Sequence, residues 1–115
     1  MENKTFIWIT TSFEGFHRYP NAPKEVEFLS NLHRHIFHIK IWLEVKHENR
    51  EVEFIMFKRW IDKVINEFMI KDYMSCEMIS DKLYGIIILT YPNREVRIEV
   101  SEDGENGSYT EYRLS

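Results

Sequence analysis

A run of alternating residues between His33 and Val45 constrains the fold of this 115-residue chain more than any other feature. Apolar residues and two histidines occupy every second position, and mostly polar residues stand between them. Successive side chains of a β-strand point to opposite faces, so the run predicts one long, half-buried strand. The residues on its apolar face are His33, His35, Phe37, Ile39, Ile41, Leu43 and Val45. One strand cannot bury such a face alone, so the chain must build a sheet that is covered on one side.

The segments on either side of this strand predict a further strand and two helices. Thr5 to Ser12 is rich in β-branched and aromatic residues and predicts a strand, whereas Glu14 to Asn31 predicts a loop. Apolar residues recur at spacings of three and four from Phe54 to Phe68, which predicts an amphipathic helix. Ser75 predicts the N-cap of a second helix that runs towards Ile88.

The end of the chain predicts a β-hairpin, and the order of elements then defines the fold class. Val96 to Val100 alternates apolar and charged residues, Asp103 to Gly107 forms a turn, and Ser108 to Arg113 returns as the second strand. The order β-β-α-α-β-β predicts a single α+β domain over residues 1–115, with two helices on one face of a four-stranded antiparallel sheet. An open sheet has two unpaired edges, which predicts a homo-oligomer.

Charge and composition argue against several kinds of partner. The chain has 15 basic and 19 acidic side chains, and it lacks the basic cluster that provides most nucleic-acid affinity. Its longest uncharged apolar run, Tyr84 to Pro92, is far shorter than the roughly 20 residues of a membrane helix. The first four residues do not resemble the start of a signal peptide. The single cysteine, Cys76, excludes an intrachain disulfide, so we expect a cytoplasmic protein.

His33 and His35 predict a metal site. Residues two apart in a strand project from the same face about 6–7 Å apart, so both rings can reach one ion. His17, at the end of the preceding strand, is the third candidate, and three protein ligands with an open fourth position are typical of catalytic zinc. The alternative is that these are structural histidines with protein partners. An apolar face rarely carries two unpartnered imidazoles, which favours the metal; His38 points to the other face.

Five segments resemble, in the same order, the motifs of the 6-pyruvoyltetrahydropterin synthase and 6-carboxytetrahydropterin synthase family. Phe13–Pro20 resembles the family's F-x-x-x-H segment, and Leu32–Phe37 resembles its L-H-G-H segment followed by an aromatic residue. Val52–Lys58 resembles the family's I-D-F-x-x-L-K motif, and Met74–Glu77 resembles its P-T-x-E motif. Ile98–Asp103 resembles its V-x-V-x-E-T strand, and Tyr109 corresponds to the tyrosine that follows that strand. Together they span nearly the whole chain.

This resemblance implies a fold, a cofactor and a substrate class. The fold is the tunnelling fold, in which three subunits join their sheets into a barrel and two trimers stack as a hexamer. The cofactor is Zn2+, and the implied ligands are His17, His33 and His35. The substrate is dihydroneopterin triphosphate or a related pterin-like heterocycle, processed by a carbon-oxygen lyase. Glu102 would anchor the ring by accepting paired N–H donors, with Ser75 and Cys76 near the same ring edge.

The chain departs from the family at the catalytic residues. The family has a cysteine base three residues before the leucine of L-H-G-H or slightly further upstream, and this chain has Leu29 there. The family has an Asp-His pair after the first helix, where this chain has Asp72 and Tyr73. Proton abstraction needs a base within hydrogen-bond reach.

Three functions therefore stay open. The first is a diverged lyase in which Asp72, Tyr73 or Cys76 supplies the base. The second is a zinc-containing protein that binds a pterin- or purine-like ligand without turnover, and the third is an assembly subunit that keeps the metal for stability. Arg34 replaces the glycine between the two zinc histidines, and alternation predicts that it faces away from the metal and contributes to a subunit contact.

Overall fold

Four antiparallel strands, arranged in chain order, form one open sheet. The strands are β1 (Thr5–His17), β2 (His33–Val45), β3 (Val96–Glu102) and β4 (Asn106–Tyr112), with β1 and β4 at the edges. The structure is a computed structural model that describes residues 3–68 and 70–114. The predicted domain of residues 1–115 also includes Met1, Glu2, Met69 and Ser115, which lie outside the described residues. The predicted α+β class and the four-stranded antiparallel sheet are confirmed.

Two α-helices connect β2 to β3, and side chains cap the start of each. Helix α1 (Phe54–Glu67) begins where the Glu53 carboxylate accepts a hydrogen bond from the Ile55 N–H at 2.6 Å. Helix α2 (Cys76–Thr90) begins where the hydroxyl of Ser75, its predicted N-cap, accepts from the Met78 N–H at 3.2 Å. Within the described residues, no helix is both long enough and apolar enough to cross a membrane.

The hydrophobic core lies between the two helices and one face of the sheet. Thr5 pairs with Val45 and His17 pairs with His33, so the odd-numbered residues of β1 and β2 share this face. Burial of each large apolar side chain contributes roughly 1.5–3 kcal/mol. The buried side chains include Ile9, Phe37, Ile39, Ile41, Leu43, Val96, Ile98 and Val100 from the sheet and Phe57, Ile61, Val64, Ile79, Leu83 and Ile87 from the helices.

The predicted loop from Glu14 to Asn31 is wrong at its beginning and in its interior. Strand β1 continues through Gly15 to His17, and residues Lys24–Ser30 form a short 3-10 helix. A Cβ atom at Gly15 would lie 3.2 Å from the Phe37 ring, so the missing side chain lets that ring pack against the strand. Tertiary packing thus overrides the low strand propensity of glycine. As a consequence, His17 lies directly opposite His33.

The other face of the sheet carries no helix among the described residues and exposes several aromatic rings. Trp8 is 55% exposed, and the Lys40 ammonium lies 4.5 Å from its ring centroid and 4.7 Å from that of Trp42. The Trp42 ring meets Tyr109 of β4 edge to face at 5.7 Å. This uncovered face therefore combines apolar surface with an ammonium group held over two rings.

Candidate metal centre

The ends of β1 and β2 bring three histidines together, and we call His17, His33 and His35 the three-histidine cluster. Their ring centroids are 4.6, 4.7 and 5.0 Å apart, and one possible ligand nitrogen from each ring lies within 4.8 Å of the others. The Phe37 ring lies beneath, with its centroid 5.2 Å from that of His17. The predicted grouping of the three candidate ligands is confirmed, and this cluster could hold a metal ion.

The hydrogen bonds of the Nδ1 atoms determine which ring nitrogens are free to bind an ion. Each Nδ1 faces an oxygen that can only accept, so each Nδ1 is the donor, and in the neutral tautomer with this donor the lone pair lies on Nε2. The partners are the Asn31 carbonyl for His33 at 2.7 Å, the Asp103 carboxylate for His35 at 2.6 Å and the Met74 carbonyl for His17 at 3.5 Å. Acceptors behind the ligating histidines are the usual outer shell of a metal site.

The Nε2 atoms of His17 and His35 are buried and have no hydrogen-bond partner within the described residues. The Glu102 carboxylate oxygens lie only 3.1 Å from the His17 Nε2 and 3.3 Å from the His35 Nε2, yet these contacts lack hydrogen-bond alignment. Burial is the main cause that lowers the pKa of His17, against the raising effect of the Glu102 charge. A ring-nitrogen lone pair beside a carboxylate oxygen is repulsive, and a cation between them would relieve that repulsion. The donor set therefore fits a metal ion.

Asp103 holds His35 in place, a role that the sequence analysis missed. It follows β3 with a positive φ of 58° and starts the turn to β4. Besides accepting from His35, its carboxylate accepts from the Ile36 N–H at 2.9 Å, while its own N–H donates to the Ile36 carbonyl at 2.7 Å. The Ile36 N–H is the main cause that lowers the pKa of Asp103, followed by His35. In the sequence, the Asp-Gly pair indicated only a turn.

A cavity of about 690 Å³ adjoins the three-histidine cluster at the beginning of α2, and we call it the metal-side cavity. It brings the predicted ligand-binding residues Glu102, Ser75 and Cys76 together with His17 and His33. Other lining residues are Arg18, Tyr19, Pro20, Leu29, Tyr73, Met74, Glu77, Met78, Asn106 and Gly107.

The three candidate bases differ in their access to this cavity. Tyr73 lines it and is half exposed. Asp72 is not among the described lining residues, and its carboxylate instead lies 3.9 Å from the Arg18 Nε. Cys76 lines the cavity, but burial raises the pKa of its thiol to about 11, with further contributions from the charges of Glu102 and Glu77. Cys76 is therefore a protonated thiol near neutral pH rather than a thiolate.

Leu29 and Arg34, which differ from the motifs that the sequence resembles, lie on different sides of the sheet region: one lines the cavity and the other does not. Leu29 lines the metal-side cavity, so an apolar group stands there. Arg34 points away from the histidines, as alternation predicts, and its Nη2 donates to the Glu14 carboxylate at 3.0 Å on the exposed side of the sheet.

No protein-family model matches the chain, and a search of curated proteins returned no match. The fold and the donor set define a candidate three-histidine metal centre at one end of an α+β domain.

Proposed function

We propose that this chain is a zinc-dependent, pterin-processing protein, diverged from the 6-pyruvoyltetrahydropterin synthase and 6-carboxytetrahydropterin synthase family. One observation carries the proposal: three histidines whose Nδ1 atoms face acceptors each place a ring nitrogen within 4.8 Å of the others, beside a 690 Å³ cavity. The sequence resemblance between Phe13 and Tyr109 adds the pterin class of substrate.

Zinc suits this donor set, because neutral imidazole nitrogens are favourable ligands for it. A bound zinc ion would supply Lewis-acid polarisation of an oxygen on the substrate. Elemental analysis of protein purified without a metal-binding tag should find about one zinc per chain. His33→Ala should lose it, whereas His38→Ala, on the same strand but the opposite face, should keep it. Metal-free wild-type protein that also fails to take up added zinc would contradict the proposal.

The metal-side cavity offers polar groups that suit a flat heterocycle with adjacent N–H donors. The Glu102 carboxylate can accept two such donors as a charge-assisted pair. The Ser75 oxygen accepts from the Met78 N–H, so its own hydrogen is available to donate towards the cavity. Tyr19 and Tyr73 provide aromatic surface at the lining. A cavity of this size is within the range of small-molecule sites, about 300–1,000 Å³.

The lyase function requires a group that moves protons on the bound substrate. Tyr73 is the best placed of the three candidates, because Asp72 faces Arg18 and Cys76 holds its proton. The second candidate function, binding of a pterin- or purine-like ligand without turnover, is favoured by Leu29, an apolar side chain in the cavity at the position of the family's base.

Incubation of zinc-loaded protein with dihydroneopterin triphosphate, with products identified by mass spectrometry, separates these functions. A lyase should release triphosphate, and His33→Ala should abolish the release while Tyr73→Phe reduces it. A ligand-binding protein should instead show saturable pterin binding without product. If neither occurs while chelation lowers the melting temperature, the metal serves stability alone and both functions are refuted.

The assembly that we propose is a homo-oligomer in which three sheets join into a barrel and two trimers stack as a hexamer. Two features support it: β1 and β4 leave unpaired sheet edges, and the uncovered face exposes Trp8 and Tyr109. We expect it in the cytoplasm, since Cys76 is a free thiol. Light scattering coupled to size exclusion should give a multiple of three subunits, and a monomer would contradict the barrel.

A further inference from the structure

Glu102 faces the three-histidine cluster as well as the metal-side cavity. It ends β3 opposite Phe37 of β2, so its side chain lies on the same face of the sheet as the histidines. Its Oε1 is 3.1 Å from the His17 Nε2, and its Oε2 is 3.3 Å from the His35 Nε2. The side chain is 23% exposed, and its ion-pair contacts within the described residues are these two histidines alone.

Each of these distances, one from each carboxylate oxygen, is close to the spacing of two ligands around one ion. Two ligands at about 2.0–2.1 Å from zinc, separated by a tetrahedral angle, are about 3.3 Å apart. Neither contact has the alignment of a hydrogen bond, and both Nε2 atoms lack a hydrogen-bond partner among the described residues. The ion-pair contacts of this partly buried carboxylate within the described residues are to histidines, so a bound cation would offset the cost of its burial.

We propose that Glu102 is a fourth protein ligand of the metal. With Glu102 bound, the chain's own side chains occupy the position that a three-histidine zinc site leaves open to substrate. A carboxylate that holds the metal through one oxygen has fewer lone pairs left for the paired N–H donors of a heterocycle. A ligand that enters the metal-side cavity would therefore share Glu102 with the metal. This inference rests on the metal site of the proposed function and not on the identity of the heterocycle.

Substitution of Co2+ for zinc tests the inference, because its visible spectrum reports the number and kind of ligands. The variants are Glu102→Gln, which removes the charge, and Glu102→Asp, which keeps the charge but shortens the side chain by one methylene. Glu99→Gln is the matched control, on the same strand and exposed on the opposite face. Circular dichroism melts of the metal-free variants confirm that each is folded.

Both Glu102 variants should change the cobalt spectrum and weaken Co2+ affinity by about tenfold or more, since loss of an outer-shell partner alone costs 10- to 100-fold. Glu99→Gln should match the wild type. If Glu102→Asp keeps the wild-type spectrum and affinity, Glu102 acts only through its charge and the inference is wrong while the metal site stands. If folded wild-type protein binds no Co2+ and no zinc, the proposed function fails together with it.

Discussion

Replacement of Asp103 by asparagine tests whether the turn after β3 positions a metal ligand. The Asp103 carboxylate accepts from the His35 Nδ1–H at 2.6 Å and from the Ile36 N–H at 2.9 Å. An asparagine amide has one acceptor oxygen, and its nitrogen only donates, so one of the two donors loses its partner. Asparagine adopts the left-handed backbone that Asp103 uses, with a φ of 58°, and the turn should therefore persist.

The expected result is a loss of metal affinity without loss of fold. Removal of an outer-shell partner of a ligating histidine weakens binding by about 10- to 100-fold, and we expect Asp103→Asn to fall in that range. Competition with a chromophoric zinc chelator measures the dissociation constant. Glu105→Gln is the control, because it removes an exposed carboxylate from the same turn. Equal zinc affinity in Asp103→Asn and the wild type would refute the reasoning, and so would an equal loss in Glu105→Gln.

Three further predictions concern the interior and the charged contacts. At about pH 8, Cys76 should react with a thiol reagent roughly two orders of magnitude more slowly in the folded than in the unfolded protein, because burial raises the pKa of its thiol to about 11. Equal reaction rates in the two states would contradict this. Phe37→Ala should lower the free energy of unfolding in urea by about 3–5 kcal/mol, because Phe37 is 2% exposed, and a loss below about 1 kcal/mol would contradict its packing. The Arg94 guanidinium, followed by the Lys46 N–H, lowers the pKa of Glu51 in the folded protein. The ionised carboxylate therefore stabilises the fold above its unfolded pKa of about 4.3, and this stabilisation is lost as the pH falls through the pKa of Glu51 in the folded protein. Glu51→Gln should weaken the acid dependence of the melting temperature, and an unchanged dependence would show that the pair contributes nothing.

The elements with a strong local pattern could be predicted from the sequence. The alternation from His33 to Val45 determines both the length of β2 and the face of the sheet that its histidines share, because a strand has a period of two. The helix over Phe54–Glu67 follows equally from its three- and four-residue spacing. The short 3-10 helix at Lys24–Ser30 was missed, since it has no buried residue and so no periodic apolar face.

The residues around the cluster could be predicted only where one strand or one loop decides their position. His17 lies opposite His33 because Gly15 leaves room for the Phe37 ring. The contact between Gly15 and Phe37 joins β1 and β2, so the pattern of neither strand alone predicts it. Glu102 and Asp103 reach the cluster through the register that pairs Glu102 with Phe37, and a shift of one residue would send the Glu102 side chain to the uncovered face. The sequence resemblance identified Glu102 as a substrate anchor, whereas its 3.1 and 3.3 Å contacts with the histidines depend on that register. The register of β2 and β3 therefore brings the Glu102 carboxylate to the position of a metal ligand, and the cobalt spectra of the Glu102 variants test whether it binds the metal.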